Sequence, residues 1–72
     1  MSIISKRLKE LRKTKKILQK DIAEFLTVPL RTYQSYEYGE AEPNLDNVTK
    51  LADYFDVSAD YLLGRSDNPD QQ

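Results

Sequence analysis

Arg31, Gln34, Ser35 and Tyr38 recur at intervals of three, four and seven residues, the spacing of one stripe along a helix. The residue types in that stripe suit the recognition of nucleobase edges. An arginine can pair bidentately with guanine O6 and N7, and a glutamine with adenine N6 and N7. Leu30, just ahead of the stripe, adds an apolar surface of the kind that packs on a thymine methyl. These roles require Tyr33 and Tyr36 to turn the opposite way, into a core. If both tyrosines faced solvent instead, they would form an exposed stacking set and the stripe would be ordinary polar surface.

The elements that could hold such a stripe are legible on either side of it. Ile4, Leu8, Leu11 and Leu18 recur at helical spacing through a charged stretch, which predicts a first helix over 3–16 with Ile17 and Leu18 leading out of it. Ile22, Ala23, Phe25 and Leu26 predict a second, shorter helix over 19–26. Pro29 then breaks the pattern and permits a new helix from about Leu30, ending at Gly39, a residue suited to a left-handed cap. Asn44 caps a fourth helix carrying Val48, Leu51, Ala52 and Phe55. Ser58 caps a last one, Ala59 to Leu63, closed by Gly64. Residues 65–72 lack a large apolar side chain and are expected to form a flexible tail behind a 1–64 domain. The fold class is all-α.

Between the second and third helices the turn is only three or four residues long. Helices joined that tightly cross closely, and the crossing point admits only a small side chain. Ala23 stands at that point, with Ile22, Leu26, Val28, Tyr33 and Tyr36 placed to seal the pair.

Charge is segregated along the chain. Residues 1–36 hold nine Lys and Arg against three acids, a net +6, while residues 37–72 hold two against nine, a net −7. The overall charge of −1 therefore hides a basic half that can attract a polyanion. Histidine and cysteine are absent, which removes disulfides and the usual zinc sites. Without a glycine-rich phosphate loop or paired carboxylates, an enzyme is not expected, nor is a cofactor or small-molecule ligand. Lys6 and Arg7 interrupt the N-terminal residues before any apolar run builds up, so a soluble cytoplasmic protein is expected, with no membrane contact.

The motif from Gln19 to Tyr38, with Ala23 inside it, resembles the Cro/C1-type (XRE-like) helix-turn-helix family of repressors and small regulators. The likeness runs from Arg7 to Gly64 and includes Gln19, Glu37, Gly39, Pro43 and the Val57–Ser58 pair. It implies a five-helix, lambda-repressor-like domain whose third helix lies in the major groove of a DNA operator. It also implies base contacts from Leu30, Arg31 and Ser35, and a base or phosphate contact from Gln19. Lys20, beside Gln19, is expected to touch phosphate, and Tyr38 to leave the helix on the outward face. Arg12 and Glu37 are expected to pair with each other as scaffold, as the matching residues do in related repressors. Ala23 and Gly39 are likewise structural.

Three departures from the family pattern stand out. Leu18 occupies the place of a Ser or Thr cap. Thr27 replaces a frequent turn glycine, and a β-branched residue resists left-handed geometry, so an altered turn is expected. Glu40 and Glu42 stand in a loop that often carries phosphate-binding bases. The expected assembly is a homodimer formed through the last helices, where Tyr54, Tyr61 and Leu63 exceed what a small core absorbs. The acidic second half favours a rival role, a protein-interaction module that keeps the fold without binding DNA.

Overall fold

The computed structural model describes residues 3–71, so Met1, Ser2 and Gln72, the ends of the expected domain and tail, lie outside the described residues. Five helices follow one another: α1 (Ile3–Lys15), α2 (Gln19–Leu26), α3 (Leu30–Tyr38), α4 (Leu45–Phe55) and α5 (Ala59–Leu63). There is no strand among the described residues. One core gathers Leu8, Ile22, Ala23, Leu26, Tyr33, Leu51, Phe55 and Leu62 from all five helices. Burial of these side chains, each worth about 1.5–3 kcal/mol for the larger ones, is the main force holding so small a domain together.

The caps follow from local chemistry. Asn44 Oδ1 accepts from the Asn47 N–H at 2.8 Å, and Ser58 Oγ accepts from the Tyr61 N–H at 3.0 Å. Each satisfies an amide that its helix leaves without a partner. Gly39 and Gly64 end α3 and α5 at φ 76° and 79°, where glycine carries no Cβ penalty. A Cβ at Gly64 would also approach the Ile3 side chain to 2.8 Å.

Leu18 and Thr27 show what the departures do. Leu18 makes no side-chain cap, as its chemistry dictates, and stands 57% exposed. The apolar stripe of α1 does not reach it, because Lys16 takes φ 58° and breaks the helical phase after Lys15. Ile17 packs against the core in its place. The expected change in the turn does not occur. Thr27 adopts φ 60°, ψ 43° and donates its N–H to the C-terminal carbonyls of α2, as a glycine there would. The surrounding helix packing holds a threonine in a costly conformation. Thr27→Gly is expected to raise stability by about 1 kcal/mol, the relief of strain outweighing glycine's entropy; a thermal melt that falls or stays unchanged would contradict this.

Phe25, part of the apolar pattern that predicts α2, is not part of the buried core. It points outward from α2, 45% exposed, and its ring lies 4.7 Å from that of Tyr54. Tyr54 and Tyr61 are in turn partly buried against the core, so neither is the surplus aromatic surface the sequence indicates.

The segment 65–72, read from sequence as a flexible tail, lies against the helices as far as Gln71. Arg7 of α1 organises it. Its guanidinium donates to the Tyr61 and Ser66 carbonyls, the latter at 2.8 Å, and to Asp67 Oδ1 at 2.8 Å. It also sits 4.1 Å above the Tyr61 ring. Farther along, the Ser58 N–H donates to the Pro69 carbonyl at 2.8 Å, and Gln71 Nε2 donates to the Val57 carbonyl at 3.0 Å.

Candidate nucleic-acid interface

α2 and α3 cross through the three-residue turn 27–29, and Ala23 is buried at their junction. Ile22, Leu26 and Tyr33 close the contact from inside. Tyr33 and Tyr36 meet edge to face with ring centroids 6.2 Å apart, both buried. The Tyr36 hydroxyl accepts from Asn47 Nδ2 of α4 at 3.3 Å, which fixes its inward rotamer.

With both tyrosines inside, the opposite side of α3 faces out. Leu30 is 42% exposed and Tyr38 53%, Arg31 is exposed, and Gln34 and Ser35 are half-buried. Arg31 forms no ion pair and no side-chain hydrogen bond among the described residues, so its five N–H donors are available. Lys20, exposed at the start of α2, is equally unpaired. Ser35 is less available: its Oγ donates to the Thr32 carbonyl at 2.6 Å, which leaves it acceptor capacity only.

Behind this face lies a chain of polar contacts that begins at a buried carboxylate. Arg12 Nε donates to Glu37 Oε2 at 2.5 Å and Nη2 to Oε1 at 3.1 Å, a two-pronged pair. Arg12 Nη1 also donates to the Ile17 carbonyl at 3.1 Å, tying α1 to the approach to α2. Gln19 Nε2 donates to Glu37 Oε1 at 3.1 Å, and Gln34 Nε2 donates to Gln19 Oε1 at 3.2 Å. The direction of this relay is set by Glu37, because an ionised carboxylate can only accept. Gln19 must therefore show it the NH2 and turn its carbonyl to Gln34. Gln34 is left with its own carbonyl oxygen and one N–H, the donor–acceptor pair that an adenine edge complements.

Burial of Glu37 would raise its pKa, but the hydrogen bonds it accepts, chiefly from Arg12, outweigh that and hold the carboxyl below its ordinary value. The hydrogen bond to Glu37 in turn raises Arg12. Burial first, and then Glu37, pushes the Tyr33 phenol up. Its hydroxyl feels the Glu37 charge yet makes no hydrogen bond in good geometry. The carboxylate is thus ionised, fully buried and satisfied.

The expected pairing of Arg12 with Glu37 is present. Gln19, expected as a DNA contact, links that pair to Gln34 on the outer side of α3, a role spacing alone did not reveal. Among the described residues no group of three or more His, Cys, Asp or Glu is placed to hold a metal ion, and no helix is long and apolar enough to cross a membrane.

This geometry has counterparts. A family model described as helix-turn-helix matches residues 8–62. The chain is 41% identical over 64 residues to an HTH-type transcriptional regulator of Bacillus subtilis, YobD, covering 89% of this chain and 57% of that protein. It is 37% identical over 62 residues to the cryptic phage CTXphi transcriptional repressor RstR of Vibrio cholerae, covering 86% and 55%. The chain spans about half the length of the curated relatives it matches. The crystal structure of the P22 c2 repressor protein in complex with a synthetic operator superposes with a TM-score of 0.82 at 29% identity, covering 92% of this chain and all of that one. Five helices in this order form the lambda-repressor-like fold. The chain belongs to the Cro/C1-type helix-turn-helix family of transcriptional regulators.

Proposed function

We propose that this chain binds double-stranded DNA sequence-specifically and represses transcription in a bacterial cytoplasm, on a bacterial or phage operator. α3 enters the major groove, and Arg31 is its principal base-reading residue. One observation carries this reading: Tyr33 and Tyr36 are buried, so Arg31 stands free on the outer face with Leu30 and Tyr38 beside it. Gln34 and Ser35 complete the reading face, and at the start of α2 Gln19 meets a base or a phosphate and Lys20 a phosphate. The operator seated on the P22 c2 repressor and the repressor role named for RstR support the same conclusion.

The active form is a homodimer on a roughly palindromic site, with half-sites about one helical turn, on the order of 10 bp, apart. Of the three residues that pointed to the last helices, Leu63 remains exposed. It lines a shallow groove with Ile3, Ile4, Glu42 and Pro43, an apolar surface that a second copy would cover.

Arg31→Ala is expected to weaken binding to the preferred duplex by roughly 1–3 kcal/mol and to relax the preference at one base position. Fluorescence anisotropy on preferred and random duplexes checks this. Equal losses on both would remove Arg31 from base reading. No duplex binding by the unaltered protein at low salt would favour the protein-interaction role, to which the exposed Glu40 and Glu42 lend themselves.

A further inference from the structure

Lys6, Lys9 and Lys13 of α1 succeed one another by three and four residues, within roughly 60° of arc at 3.6 residues per turn. They form a ridge that no acid neutralises. The ion pairs among the described residues use Arg7, Arg12 and Lys50, and none of these three lysines. Glu10 is the one acid on α1; it borders the ridge beside Lys6 and Lys13 and pairs with neither.

The two arginines of α1 orient this ridge. Arg7, roughly 160° around the helix from Lys9, crosses to Tyr61 and the C-terminal segment. Arg12, only about 60° from Lys9, crosses to Glu37 in the last turn of α3. The Lys9 side of the ridge therefore borders the flank of α1 that turns toward the end of α3. The unpaired Lys16 and Lys20 continue the positive charge into α2, ahead of the exposed acids Asp21 and Glu24. The loop after α3 has the opposite character, with Glu40 and Glu42 both exposed and unpaired.

We infer that the Lys6–Lys9–Lys13 ridge is a sequence-blind contact for the phosphates of the duplex that α3 reads, supplying the attraction that the acidic loop withholds. The inference rests on the DNA-binding function proposed above. Lysine suits this role: its ammonium is a point charge on a flexible stem, able to follow a phosphate track without fixed geometry. Neutralising phosphates releases counterions, so each contact adds about 0.9 to the slope of log affinity against log salt.

The test is a salt titration of the full chain on a random-sequence duplex and on one enriched by selection. The combined Lys6→Gln, Lys9→Gln and Lys13→Gln variant keeps helix propensity nearly constant. It is expected to lose affinity by the same factor on both duplexes and to lower the salt slope by about 2–3. The combined Glu40→Gln and Glu42→Gln variant, away from any helix, is expected to gain affinity on both. A triple variant with unchanged slope would overturn the inference, as would a fall of equal size per lysine in Lys50→Gln on α4. If the unaltered protein binds neither duplex, the base-reading function itself fails, and the ridge with it.

Discussion

Arg12→Ala is expected to cost about 3–5 kcal/mol of folding stability, the penalty for leaving a buried carboxylate without its partner. Glu37 is fully buried, and its two oxygens take both prongs of the Arg12 guanidinium. A domain of this size holds only about 4–11 kcal/mol in total, so the variant should be partly unfolded at moderate temperature. Chemical denaturation checks this, and a midpoint equal to that of the unaltered protein would contradict it. The combined Arg12→Met and Glu37→Met variant is expected to recover much of the loss, since apolar replacement of both partners removes the stranded charge.

The same pair sets an acid dependence. The folded-state pKa of Glu37 is depressed below its ordinary value of 4.5, so its ionised form stabilises the fold. That contribution is fully present above the ordinary value and is lost as pH falls through the depressed one. Stability measured below about pH 4.5 should therefore fall more steeply in the unaltered protein than in Glu37→Gln. Loss of the carboxylate also frees Gln19, and through it Gln34, so the outer side of α3 loses its fixed geometry along with the scaffold.

Leu26→Ala is expected to lower stability by about 2–5 kcal/mol through the cavity it opens. Leu26 is buried in the same cluster as Ile22, Tyr33, Leu51 and Phe55, where α2 meets α3 and α4. Its effect should differ in kind from that of Arg31→Ala. The folded fraction of Leu26→Ala should retain the full base preference, while Arg31→Ala should melt like the unaltered protein. A thermal midpoint for Leu26→Ala within a degree or two of the original would contradict the packing assigned to it.

The helices, the two glycine ends, the Asn44 and Ser58 caps and the inward turn of Tyr33 and Tyr36 were legible in the sequence because each depends on neighbours within one or two turns. The pairing of Arg12 with Glu37 came instead from family resemblance, since no local rule joins positions so far apart. What stayed hidden depended on distant contacts or on a change of helical phase. Arg7 reads as one more base in a basic run, yet its partners at Tyr61, Ser66 and Asp67 lie at the far end of the chain. Leu18 continued an apolar spacing that the left-handed turn at Lys16 cuts short. Thr27 was read from its own conformational preference, which the packing of α2 against α3 overrides. The apolar pattern of α2 did not separate Phe25 from its neighbours: the core behind α2 is filled by Ile22 and Leu26, and Phe25 rests on Tyr54 at the surface. Residues 65–71 gave no apolar signal because polar groups and backbone carbonyls hold them.

Selection of binding sites from random duplexes, run in parallel with the unaltered chain and Arg31→Ala, tests most directly whether the outer face of α3 reads bases. The unaltered chain should enrich two inverted half-sites about one helical turn apart, and the variant should lose the preference at one position in each. A pool that remains random, or identical enriched sequences from both proteins, would contradict it.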